Sequence, residues 1–209
     1  MIRCLLSEKK FCELVHRKIP MPRDRCAFNL PEKFGTSKDE TSSVLVIVYY
    51  DQMNIPVVIF TKRSSKLRNH AGEISFPGGR IAACDNSLLD TAIRETYEEI
   101  GLLVSKENVL GCLTPTNTYT TKILIFPFVV IMTSKQDKFI PNEEVEEIIE
   151  IPLEKLIQSV ELDNEHSSSN YQMYRFLVGG HLIWGATARI LKNLLELIDN
   201  ENKITSDDA

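Results

Sequence analysis

Three closely spaced glutamates give the sequence its first chemical feature. They lie in "RETYEEIGL", Arg94 to Leu102, as Glu95, Glu98 and Glu99. Their spacing of i, i+3 and i+4 predicts three carboxylates on one face of a helix. Gly101 marks the end of that helix, because glycine takes the left-handed conformation of a C-terminal cap without a Cβ clash. For stability alone the placement is poor. Each exposed carboxylate near the negative pole of the helix dipole costs about 0.3–1 kcal/mol, and the Glu95–Glu99 pair adds roughly 0.2–0.5 kcal/mol of like-charge repulsion. A divalent cation would neutralise the cluster, and hard ions such as Mg²⁺ or Mn²⁺ prefer carboxylate, carbonyl and water oxygens. Arg94, four residues before Glu98, is spaced to pair with it and fix its rotamer.

A second cluster is cationic. Lys62, Arg63, Lys66 and Arg68 place four positive charges in seven residues, with no acid among them, in a chain whose formal net charge is −5. A solvated strand end would look the same in isolation. A clamp for an anionic ligand is the other reading of the same residues. His70 alone reads as a hydrogen-bonded structural residue, and no second histidine is spaced to make a zinc site with it. Trp184 and Tyr119 could stack on a base, although "LIWGATARIL" reads first as the start of a helix packed on the core.

The elements that must position these groups are legible in outline. "SSVLVIVYY" (42–50) and "IPVVIFTKR" (55–63) are β-branched and aromatic runs joined by "DQMN", a hairpin pattern. A further strand is expected over 122–133, where Pro127 suggests an edge or a bulge. Helices are expected at 87–100 and 184–198. In the first, Leu88, Leu89, Ala92, Ile93, Thr96 and Ile100 form the apolar stripe, Asp85 or Ser87 caps it, and the three glutamates lie off it. Asp85 reads as a cap rather than a ligand. Residues 145–158 look like a strand running into a short helix, and 161–170 like a polar loop. Strands mixed with helices point to an α/β or α+β sandwich.

Bulk properties bound the class. With 209 residues, 43% of them hydrophobic, the chain suits one domain with a buried core. Residues 1–41 read as an N-terminal helical extension, 42–198 as the domain and 199–209 as a disordered tail. The negative charge argues against general nucleic-acid binding. Five cysteines, an odd number with no CxxC pair, support neither a disulfide framework nor a structural zinc. No apolar run suits a membrane span, and no secretory pattern is visible, so a soluble, cytoplasmic protein is expected. Glu8, Glu13 and Asp24 weigh against an organelle-transit reading of the basic N-terminus.

The stretch "GGRIAACDNSLLDTAIRETYEEIGL" (78–102) resembles the Nudix box of the Nudix hydrolases: a glycine, five residues, a glutamate, seven residues, then Arg-Glu-x-x-Glu-Glu-x-Gly and an aliphatic residue. The half from Arg94 onward matches. In the earlier half, counting back puts Arg80 at the glycine position and Asn86 at the first glutamate, with Asp85 the nearest acid; Thr96 stands where an aliphatic residue is usual. Upstream, "FTKRSSKLRNHAGEISFPGGR" (60–80) resembles the signature of the coenzyme A diphosphatase branch, which also shifts the early half of its box. The matching residues are Thr61, Arg63, Ser64, Leu67, Arg68, His70, Gly72, Phe76, Pro77, Gly78 and Gly79.

This resemblance implies an α/β/α sandwich with a mixed central sheet and a metal-dependent hydrolase using Mg²⁺ or Mn²⁺. It makes the Gly79 carbonyl a metal ligand beside Glu95, Glu98 and Glu99, with Arg94 supporting them. The base is left between Glu99 and Glu144. Lys62, Arg63, Arg68, His70 and Phe76 become candidate substrate contacts. The implied substrate is a small nucleotide, coenzyme A or an acyl ester. Alternatives are ADP-ribose, a dinucleoside polyphosphate or a damaged nucleotide, and an inactive binding module is disfavoured by the intact Arg94, Glu95, Glu98 and Glu99. No nucleic-acid or membrane partner is expected, and a homodimer is left open.

Overall fold

The computed structural model describes residues 7–19, 40–132, 138–167 and 172–199. Its centre is a mixed sheet built around β1 (Thr41–Tyr50). The expected hairpin joins β1 to β2 (Pro56–Arg63), and the Asp51 carboxylate fixes the turn by accepting from Met53 N and Ile55 N at 2.9 and 2.8 Å. β2 continues the sheet through β3 (Ile74–Ser75), while β1 also pairs antiparallel with β4 (Gly78–Arg80). After α2 (Leu88–Ile100) come β5 (Val109–Cys112), β6 (Thr116–Asn117) and β7 (Leu124–Met132). β7 runs parallel to β1 from Thr41↔Leu124 to Tyr49↔Met132, and β8 (Val145–Pro152) completes the sheet against β2.

Successive β1 residues face opposite layers. Leu45 and Ile47 pack with Leu88, Ala92 and Ile100 of α2, whereas Val46 and Val48 pack with Leu191 and Leu194 of α4 (Gly185–Asp199) and Phe11 of α1 (Glu8–Lys18). Burial on both faces is why β1 reads as an apolar run rather than an alternating one. Helices therefore cover both sides of the sheet, as expected. No helix among the described residues is long and apolar enough to cross a membrane. The expected tail lies outside the described residues apart from Asp199, the last residue of α4.

Three features depart from the sequence reading. Pro127 does not mark an edge, because β7 is flanked by β1 on one side and by β5 and β6 on the other. The Pro127 carbonyl accepts from Leu113 N at 2.8 Å, so its nitrogen faces the same side, into the gap between β5 and β6, and no ladder bond is lost there. The stretch from 161 is not simply a loop. After α3 (Leu153–Gln158), Val160–Leu162 forms β9 in a small second sheet with β10 (Tyr174–Val178) and β11 (His181–Ile183). Finally, Glu99 does not lie off the buried stripe of α2: it is 5% exposed.

Candidate active site

α2 presents the acids to the sheet end where Gly78 and Gly79 of β4 pair with β1. Ser87 caps the helix by accepting from Asp90 N at 3.1 Å, and Gly101 ends it at φ 69°. The last carbonyls are not left orphaned. Asn142 N donates to the Glu99 carbonyl and Ile140 N to the Ile100 carbonyl, each at 2.9 Å, which docks the 138–144 segment on the helix end.

The three glutamates differ in environment. Glu98 has 53% of its side chain exposed, Glu95 is half-buried, and Glu99 is enclosed. Gly78 N donates to Glu99 Oε2 at 3.1 Å. Burial pushes the Glu99 carboxyl up to about 7, outweighing the opposing effects of that N–H and of the nearby Arg63 guanidinium; Glu95 and Glu144 raise it further. Burial likewise raises Glu95, with Arg94 opposing it. Gly79 is required by close approach: a Cβ there would lie 2.5 Å from the Glu95 carboxylate. Its carbonyl accepts from Ser42 Oγ at 2.8 Å.

Arg94 ties the cluster together. One guanidinium nitrogen donates at 3.0 Å to both Glu95 Oε1 and Glu98 Oε2, and the other reaches the Arg80 carbonyl at 3.1 Å. Its Nε and Nη2 grip Asp85 at 2.8 and 2.9 Å. Asp85 also accepts from Ala82 N and the Thr91 hydroxyl. Burial alone would raise the Asp85 carboxyl, but these hydrogen bonds, Arg94's first, hold it below the usual carboxylate range. Asp85 is thus the anchor of Arg94 rather than the helix cap. Where the box pattern puts Asn86 at its first glutamate, the acid one position earlier, Asp85, takes the arginine. A signal was available: Arg94 has more donors than Glu98 can satisfy, and Asp85 is the acid nearest Asn86, the position where the box pattern has its first glutamate.

A model of the NUDIX domain matches residues 39–177. The chain belongs to the Nudix family. Two similar proteins are named as uncharacterized Nudix hydrolases, NudL. That of Pectobacterium atrosepticum is 36% identical over 143 residues, covering 66% of this chain and 73% of its own. That of Yersinia pestis is 34% identical over 198 residues, covering 93% of this chain and 98% of its own. Among solved structures, a MutT/nudix family protein from Enterococcus faecalis aligns over 92% of this chain and 75% of its own with a TM-score of 0.54 at 17% identity, which agrees in fold. The protein is accordingly a Nudix hydrolase acting on a diphosphate.

Hard oxygen donors suit the divalent ions that Nudix hydrolases generally use. Glu95, Glu98, Glu99 and the Gly79 carbonyl supply such a set, and the space beside Glu95 exists because residue 79 lacks a Cβ. Arg94 holds Glu95 and Glu98 through one shared nitrogen, and Gly78 N holds Glu99. Among the described residues the set with ligand atoms all within 4.8 Å is a different one, Asp163, Glu165 and His166. There Asp163 already accepts from Glu165 N, His166 N and His166 Nδ1, as in a hydrogen-bonded turn.

The other candidate contacts of this Nudix protein separate. Arg63 turns toward the acids: its Nη2 lies 3.6 Å from Glu144 Oε2, and its buried Nε has no hydrogen-bond partner. Lys62 instead pairs with Glu146 at 2.7 Å and lines a groove with Gly72, Glu73, His181 and Trp184. Lys66 and Arg68 are exposed. His70, at φ 57°, is exposed with Nδ1 3.0 Å from Glu73 Oε2. Phe76 is not placed as a contact surface. It is 2% exposed, with its ring 4.8 Å from that of Phe60, so it supports the turn from within the core. Tyr119 is exposed with Lys122 over its ring.

Proposed function

We propose that this Nudix hydrolase is a Mg²⁺- or Mn²⁺-dependent diphosphatase of coenzyme A or its acyl esters, releasing 3′,5′-ADP and 4′-phosphopantetheine or its acyl form. The observation that carries the reading is the position of Arg63. This signature residue lies at the carboxylate site with a buried, unpartnered Nε, an arrangement that a phosphate oxygen completes.

In this reading Glu95, Glu98, Glu99 and the Gly79 carbonyl hold the cation, with Arg94, fixed by Asp85, setting the rotamers of Glu95 and Glu98. The bound ion supplies charge neutralisation at the diphosphate and a more acidic water. Arg63 and Arg68 hold phosphate oxygens, so that the anionic substrate reaches an otherwise acidic surface. Water attacks phosphorus, the bridging P–O bond breaks, and the water's proton passes to Glu99 or Glu144. Glu99 is the buried candidate, its carboxylate accepting from Gly78 N at 3.1 Å. Glu144 is the more exposed acceptor.

The test is a panel of coenzyme A, acetyl-coenzyme A, ADP-ribose, NADH and diadenosine polyphosphates, incubated with Mg²⁺ or Mn²⁺ and resolved by chromatography. Coenzyme A or its acetyl ester should be the best substrate. Cleavage of ADP-ribose with neither coenzyme touched would overturn the assignment.

A further inference from the structure

We infer that Glu144 holds Arg63 until a substrate phosphate displaces it, so that phosphate binding and release of the Glu144 carboxylate form one exchange. The inference rests on the reading of Arg63 as a phosphate contact. Both backbones are fixed. Arg63 N donates to the Glu73 carbonyl at 2.9 Å and Gly72 N to the Arg63 carbonyl at 3.1 Å. On the facing segment, Ser64 N donates to the Glu144 carbonyl at 2.7 Å and Glu144 N to Asn142 Oδ1 at 2.9 Å. Only the side chains are left to rearrange.

Their pairing is incomplete. At 3.6 Å the Arg63–Glu144 contact is an ion pair without hydrogen-bond geometry, and the Glu144 side chain is 55% exposed. Arg63 Nε is buried and has no acceptor. A phosphate presents several oxygens to one guanidinium, so it can satisfy Nε and Nη2 together in the bidentate geometry that this carboxylate does not reach. Lys62 does not compete, being paired with Glu146. The released carboxylate remains on the segment that Asn142 N docks on the Glu99 carbonyl, Glu144 N itself donating to Asn142 Oδ1. The exchange therefore frees Glu144 at the place where a proton acceptor is needed, and only when a phosphate is present.

A double-mutant cycle with inorganic pyrophosphate as the probe, measured by calorimetry in Mg²⁺ buffer, tests this. Glu144→Gln should tighten binding about 2–5-fold, the fold-change of a partly exposed ion pair. Arg63→Ala should weaken it about 10–100-fold. In the Arg63→Ala background the gain from Glu144→Gln should vanish. If Arg63→Ala does not fold, Arg63→Lys replaces it and should likewise shrink the gain, since lysine lacks the fork. Unchanged or weaker binding by Glu144→Gln overturns the exchange, as does an equal gain with and without Arg63, which would be a plain field effect. Normal pyrophosphate binding by Arg63→Ala overturns it by removing the phosphate contact. None of these outcomes depends on coenzyme A, so failure of the exchange is separable from failure of the substrate assignment.

Discussion

Glu99 should make the metal-free protein lose stability as pH rises, and Glu99→Gln should abolish that loss. The carboxyl has an ordinary value of 4.5 and is raised to about 7 in the folded chain, chiefly by burial. Below the unfolded value both states carry the proton, and Glu99 costs nothing. As pH rises from about 4.5, the unfolded chain ionises first, and stability falls until the folded-state value near 7 is passed. Integrated over that window the loss is roughly 3 kcal/mol, at about 1.4 kcal/mol per pH unit. Glutamine keeps the shape and an oxygen to accept from Gly78 N but carries no charge. The variant should therefore match the wild type at about pH 4.5 and exceed it by roughly 3 kcal/mol at about pH 8. For a chain of this size that difference is about 6–12 °C in Tm. Thermal melts of both proteins in EDTA across this range give the difference directly, with titrations common to both cancelling. Parallel curves would show that Glu99 ionises without a burial penalty and would refute the reasoning.

Two other substitutions separate support from chemistry. Asp85→Asn removes the charge that anchors Arg94, and breaking such a buried pair should cost about 3 kcal/mol by denaturant unfolding, with turnover also reduced. Thr96→Val should stabilise by about 1 kcal/mol without changing turnover, because the Thr96 side chain is fully buried and its hydroxyl has no partner; a destabilised variant would point to a partner for that hydroxyl.

Long periodic elements were legible in the sequence because their burial pattern is their cause. The β1–β2 hairpin, α2, α4 and the 145–158 strand and helix lie within a residue or two of expectation. The small second sheet was not, since β9 and β11 are three residues each and carry little alternation. Within the site, spacing pointed to the Arg94–Glu98 pair, which is present. It did not reveal that Glu99 is enclosed, which depends on Gly78 at the start of β4 reaching its carboxylate. Nor did it separate Lys62 from Arg63, adjacent residues that pair with different acids, Glu146 and Glu144. Phe76 shows the limit of carrying over a signature, which records which residues recur together without saying whether each touches a ligand or holds the loop that does.

The central claim, that the α2 carboxylates carry the hydrolysis of a coenzyme A diphosphate, is tested most directly by Mn²⁺-dependent turnover of coenzyme A in wild type and Glu98→Gln. Glu98 is the exposed member of the set, so its substitution leaves the core untouched. The wild type should release 3′,5′-ADP, and the variant, with an unchanged circular dichroism spectrum, should turn over about 10²-fold more slowly, the order of loss for one electrostatic stabiliser. Near wild-type turnover by Glu98→Gln at saturating Mn²⁺, or a wild type that releases no 3′,5′-ADP, would contradict the account.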